Sequence, residues 1–138
     1  MTVNVKSNGS TKTLIEKDQL PNDSGWIEAS IGRNFTSYGD VSPKYRKIGD
    51  IVSIVGSVKP VVSNIGEDNT SYEILTLPEG YRPSIMDLVY ICQGSNICTW
   101  MMIISKNGVV SFSRYREGGR KVGASTSEWL PFSATFII

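Results

Sequence analysis

Along most of the chain, apolar residues recur at every second position in short runs that end at Gly, Pro or Asn-Gly. Such runs read as half-buried strands joined by turns. Within residues 50–58, Val52, Ile54 and Val58 share one face with Gly56, while Ile51, Ser53, Val55 and Ser57 share the other. Gly56 there marks a bulge or a close backbone approach. Residues 128–138 alternate most cleanly, with Leu130, Phe132, Ala134, Phe136 and Ile138 on one face. Further strands are predicted over 26–31, 34–38, 72–77, 86–93, 97–105 and 109–115. The breaks are a polar loop over 63–71, the proline pair Pro78 and Pro83, the turn Lys106-Asn107-Gly108 and a Gly-rich polar loop over 116–127. No stretch of ten residues sustains a helical period. Roughly seven to nine evenly spaced strands predict an all-β protein, an antiparallel β-sandwich or jelly roll.

One strand departs from simple alternation. Over 97–105, Cys98, Trp100, Met102 and Ile104 occupy one face and Ile97, Met101 and Ile103 the other, all apolar. A strand apolar on both faces is central or covered by another subunit, so an oligomer is expected. Trp100, flanked by apolar residues, reads as core. Residues 1–24 are polar and broken by Asn8-Gly9-Ser10 and Leu20-Pro21-Asn22-Asp23, so they read as a lead or attachment segment, with the head domain over 25–138.

The 138 residues carry 14 Lys and Arg against 13 Asp and Glu, dispersed along the chain. A nucleic-acid partner is disfavoured, because neutralising phosphates needs a clustered basic face. No apolar run approaches the ~20 residues that cross a bilayer, so no membrane insertion is expected. The N-terminus also lacks the apolar core of a signal peptide. Cys92 and Cys98 are the only cysteines. A three-residue loop of Gly94, Ser95 and Asn96 would set them opposite each other on adjacent strands, which admits a cross-strand disulfide. Buried free thiols are the commoner outcome in a reducing cytoplasm.

The chain contains no histidine, which removes the commonest general base and the commonest metal ligand. No phosphate loop, nucleophile elbow, zinc motif or calcium loop is present. Neither a metal nor a cofactor is expected, and the chain reads as non-enzymatic. Among Asp23, Glu28, Asp40, Asp50, Glu67, Asp68, Asp87 and Glu128, no spacing selects a catalytic pair. The sequons at Asn8, Asn22, Asn34 and Asn69 read as chance in a chain rich in Ser, Thr and Asn. Sugars are held by a ring face stacked on Trp or Tyr and by planar polar groups. That chemistry selects Trp26, Tyr38, Asp40, Arg114, Tyr115, Arg116 and Trp129 as candidate saccharide-binding residues. The competing reading for each aromatic is a core or rim ring with its polar end at the surface.

The string YRKIGDIVSIVGSVKP, then LPEGYRPS, a hydrophobic hairpin, NGVVSFSRY and SEWLPFSATFII, resembles the receptor-binding head domains of tail fibre and baseplate proteins from phages of Gram-positive bacteria. The resemblance runs from about Gly25 to the C-terminus and lies in the order of the elements. It implies a homotrimeric β head at the phage tail tip, carried in the virion and made in the bacterial cytoplasm. Its expected partners are host cell-wall saccharide, bound without cleavage, and other tail or baseplate proteins. The alternative is a structural tail or baseplate module that binds virion proteins and recognises no glycan; a bacterial carbohydrate module or a carboxylate hydrolase is the remaining reading.

Overall fold

The computed structural model describes residues 2–15 and 19–138. The Asn8-Gly9 break proves to be a hairpin turn, with both residues left-handed (φ 52° and 77°), the conformation that Asn-Gly supplies most readily. It joins β1 (Thr2–Ser7) to β2 (Ser10–Ile15), which pair only with each other among the described residues.

The rest of the chain forms two antiparallel sheets with almost no helix, as the period of two predicts. The first contains β3 (Ile27–Glu28), β4 (Phe35–Ser37), β5 (Lys44–Ile48), β6 (Ile51–Pro60) and β12 (Leu130–Ile137). β6 is its spine: β12 lies along one edge, β5 and β4 share the other, and β3 extends the sheet beyond β5. The second sheet contains β7 (Tyr72–Thr76), β8 (Leu88–Gln93), β9 (Cys98–Ile104), β10 (Val109–Glu117) and β11 (Arg120–Lys121). There β9 lies between β8 and β10, and the far edge of β10 is shared by β7 and β11.

The alternation of β6 and β12 translates directly into packing. Val52, Ile54 and Val58 are buried with Leu130, Phe132, Ala134 and Phe136, and they face Trp100, Met102, Ile104, Val110 and Phe112 of the other sheet. Burying each large side chain contributes roughly 1.5–3 kcal/mol. Trp100 sits at the centre: its ring centroid is 5.3 Å from Phe112 and 6.3 Å from Phe132, and its indole N–H donates to the Gln93 carbonyl at 3.0 Å. The buried polar end is thereby satisfied.

Three expectations need correction. β5 was not among the predicted strands, because its inward positions are Tyr45 and Lys47, which break the apolar alternation. Lys47 is tolerated there because its ammonium lies 4.8 Å from the centre of the Tyr81 ring and donates to the Gly80 carbonyl. The predicted loop over 116–127 contains the short strand β11, formed where Gly118 and Gly119 turn the chain back on β10. The two cysteines are not opposite each other. Cys98 closes the turn against Gly94, through bonds from the Gly94 amide to the Cys98 carbonyl and from the Cys98 amide to the Ser95 carbonyl. Cys92 is paired with Trp100, and both thiols are free.

Candidate functional site

β9 is central, yet its second apolar face is only partly covered. Met101 and Ile103 are half-buried, while Ile97 is 68% exposed and the neighbouring Val89 and Ile91 of β8 are 58% and 74% exposed. Gln93, Asn96 and Thr99 lie at one end of this mainly apolar face, around a depression of about 270 Å³. A concave, polar surface lies elsewhere, around Tyr72 at the start of β7.

Two adjoining depressions share Tyr72. The larger, about 710 Å³, is lined by Gly32, Arg33, Asn34, Thr70, Ser71, Tyr72 and Glu73. The smaller, about 310 Å³, is lined by Asn64, Glu67, Asp68, Tyr72 and Lys121. The first wall exists because residues 31–34 cross from one sheet to the other. Ile31 bridges to Leu75, and the Gly32 amide donates to the Ile74 carbonyl at 2.6 Å. A Cβ at position 32 would stand 2.4 Å from the Glu73 carbonyl oxygen, so only glycine lets this segment lie against β7.

The second wall is the polar loop after β6, and it is tied down along its length. Asn64 donates its amide to Ala124 and Ala124 returns one to Ile65, both at 2.8 Å, and the Tyr115 amide donates to the Gly66 carbonyl. Gly66 has φ +85°, and a Cβ there would strike the Phe112 ring at 2.6 Å. Arg116 donates from Nη1 to the Gly66 and Glu67 carbonyls at 3.2 Å each, and from Nη2 to Asn69 Oδ1 at 3.3 Å. Asp68 closes the loop by accepting from the amide and hydroxyl of Thr70, each at 3.0 Å. Tyr72 itself packs partly against the core. The result is a half-buried ring between two backbone segments held in place by hydrogen bonds, and walls ordered in advance reduce the ordering cost of binding.

The seven residues selected from the sequence are dispersed across the fold. Trp26 is 47% exposed on the outer side of the first sheet, beside Arg46. Tyr38 and Asp40 are exposed around the turn that follows β4. Arg114 is exposed at an irregularity of β10, with φ 52°. Tyr115 is 2% exposed, a core ring against Phe112, and its hydroxyl donates to the Glu128 carboxylate. Burial raises its phenol above the ordinary 10.0, with further contributions from Cys98 and Glu128. A ring so enclosed offers no face for stacking. Arg116 holds the cleft loop from behind. Trp129 is 41% exposed, and its amide meets Ser95 Oγ at 3.5 Å. Only Arg116 has a part in the cleft, and it acts through the loop it positions.

The cleft residues Arg33, Asn34, Asn64, Thr70, Ser71, Tyr72, Glu73 and Lys121 were missed because they come from four separate segments. The one local signal was Tyr72-Glu73, an aromatic-acid pair directly after a polar loop. Among the described residues, no group of three or more His, Cys, Asp or Glu side chains is placed to hold a metal, and no helix is long and apolar enough to cross a membrane. Comparison with known proteins finds no matching family model, no matching curated protein and no matching solved structure.

Proposed function

We propose that the chain is a non-enzymatic receptor-binding head of a phage tail fibre or baseplate, recognising host cell-surface saccharide during adsorption. In this reading it is a jelly-roll-like homotrimer at the tail tip. The observation that carries saccharide recognition is the double cleft, in which Tyr72 stands between amide, hydroxyl and guanidinium groups on walls fixed by hydrogen bonds. A neutral ring offers no net charge to hold, so stacking and fixed polar geometry must do the recognition. The order of elements along the chain supports the phage-head part of the reading. The deciding experiment is a glycan array probed with the purified chain and with Tyr72→Ala. Binding that is retained by wild type and lost in the folded variant is expected, with no reducing ends released from bound polysaccharide. Binding untouched by Tyr72→Ala would move the site elsewhere.

A second reading is favoured by the exposed apolar residues Val89, Ile91 and Ile97. A patch of this kind suits a protein neighbour, as a structural baseplate module or the trimer interface would require. Sedimentation of wild type and Ile91→Lys separates these: trimer lost on substitution supports self-assembly, whereas a wild-type monomer leaves the patch to another virion protein.

A further inference from the structure

Saccharide recognition leaves open which sugars the cleft selects, and the distribution of charge along its two halves bears on this. Resting on the saccharide reading, we propose that the double cleft selects a glycan in which an acidic sugar is followed by a non-acidic one, the acid group lying in the larger half.

In the larger half the charged groups are Arg33 and Glu73. Glu73 balances Arg33 in charge, and its Oε1 is drawn along β7 by the Thr76 hydroxyl, which donates to it at 2.7 Å. Arg33 is exposed, and its guanidinium has no hydrogen bond or ion pair among the described residues. A guanidinium free of protein partners can grip a carboxylate or phosphate in two places, and Tyr72 lines the same depression, where a sugar ring can stack. Asn34 and the hydroxyls of Thr70 and Ser71 line the same half and supply neutral partners for sugar hydroxyls.

The smaller half is more negative by one charge. Glu67 and Asp68 stand there against the single cation Lys121. A second acid group in that half would meet two carboxylates, a repulsive element that discriminates as strongly as an attractive one. A glycan with an acid on every sugar is therefore refused, and a neutral glycan is accepted without the contribution of Arg33.

The test measures binding of the full chain by calorimetry to three tetrasaccharide probes. These are a hyaluronan fragment with alternating acidic and neutral sugars, an oligogalacturonate with every sugar acidic, and a neutral chito-oligosaccharide. The alternating probe is expected to bind about ten-fold more tightly than the neutral one, the scale of one hydrogen-bonded charge pair, and the fully acidic probe most weakly. Arg33→Gln should erase the advantage of the alternating probe, and Glu67→Gln should strengthen the fully acidic one. Both residues are exposed, so the variants keep the wild-type fold. A tetrasaccharide with phosphorylated and neutral sugars in alternation distinguishes phosphate from carboxylate as the preferred acid. Equal binding of neutral and alternating probes, unchanged in Arg33→Gln, overturns the selection and leaves saccharide recognition standing. Binding of none of the probes at millimolar concentration overturns the selection, and a glycan array that is also blank overturns saccharide recognition with it.

Discussion

The guanidinium carbon of Arg46 lies 5.8 Å from the centre of the Trp26 ring. The stack is fixed from the far side, because Asp23 accepts from Arg46 Nε at 2.9 Å and Nη2 at 2.5 Å and takes a third bond from the Gly25 amide at 2.8 Å. One exposed carboxylate thus sets the orientation of an exposed indole through the side chain between them.

This arrangement has a defined acid limit. The bond from Arg46, followed by the Gly25 amide, lowers the Asp23 carboxyl from 3.8 to about 2. A carboxyl lowered in the folded state contributes its stabilisation above its unfolded value and loses it as pH falls through the folded one. The Trp26 indole resonance is therefore expected to hold its position down to pH 4 and to move as pH approaches 2. In Asp23→Asn it should occupy the shifted position already at pH 7. An Asp23→Asn spectrum identical to wild type at pH 7 would show that the carboxylate does not orient the ring.

The cysteines are expected to remain thiols. Cys92 stands opposite Trp100 while Cys98 stands opposite Gly94, and burial pushes the Cys92 thiol up to about 11. The thiolate is the reactive form, so alkylation at pH 7.5 should be slow in the folded protein and complete in denaturant. Mass spectrometry of the oxidised protein should recover two thiols; an intact intramolecular disulfide in the folded state would contradict this placement.

Gly56 was marked by its sequence context as a bulge or a close approach, and it is the second. A Cβ there would lie 2.6 Å from Phe132 Cζ and 2.8 Å from Pro43 Cβ, between two rings that cannot retreat without disturbing the core. Gly56→Ala is expected to cost about 1–3 kcal/mol, the range for overpacking. Urea denaturation would register this as a lower midpoint with an unchanged slope. A midpoint at or above the wild-type value would mean that Phe132 repacks freely.

The same contrast explains how much of the protein was legible in its sequence. Val52, Ile54 and Val58 on β6 and the even positions of β12 were readable because each strand buries one face, and period two records that fact locally. β5 was not, because Lys47 reaches the inner side and is accommodated by the face of Tyr81, a residue 34 positions later in the chain. The cleft was harder still. Arg33, Tyr72 and Lys121 meet only through the crossing of residues 31–34 and the tethered loop after β6, so no window of sequence contains them together. Aromatic-polar adjacency selected Tyr115 for stacking, but β10 turns that ring inward and uses its hydroxyl as a tie.

That tie supports the last prediction. The Tyr115 hydroxyl donates to the Glu128 carboxylate from a ring that is 2% exposed. Tyr115→Phe removes the donor and leaves a half-buried carboxylate without it, so a loss of about 1.5–3 kcal/mol is expected, the scale of a hydrogen bond to a charged group. Glu128→Gln keeps a carbonyl acceptor and should cost less. The pH dependence has the opposite sense to that of Asp23. Burial favours the neutral phenol, so its folded pKa is raised above the ordinary 10.0. The stabilisation is fully present below pH 10 and declines above it, as the unfolded chain releases a proton that the folded one retains. Denaturation midpoints should therefore fall between pH 9.5 and 11 in wild type and fall less steeply in Tyr115→Phe. Equal slopes in the two proteins would show that Tyr115 ionises as freely in the fold as in water.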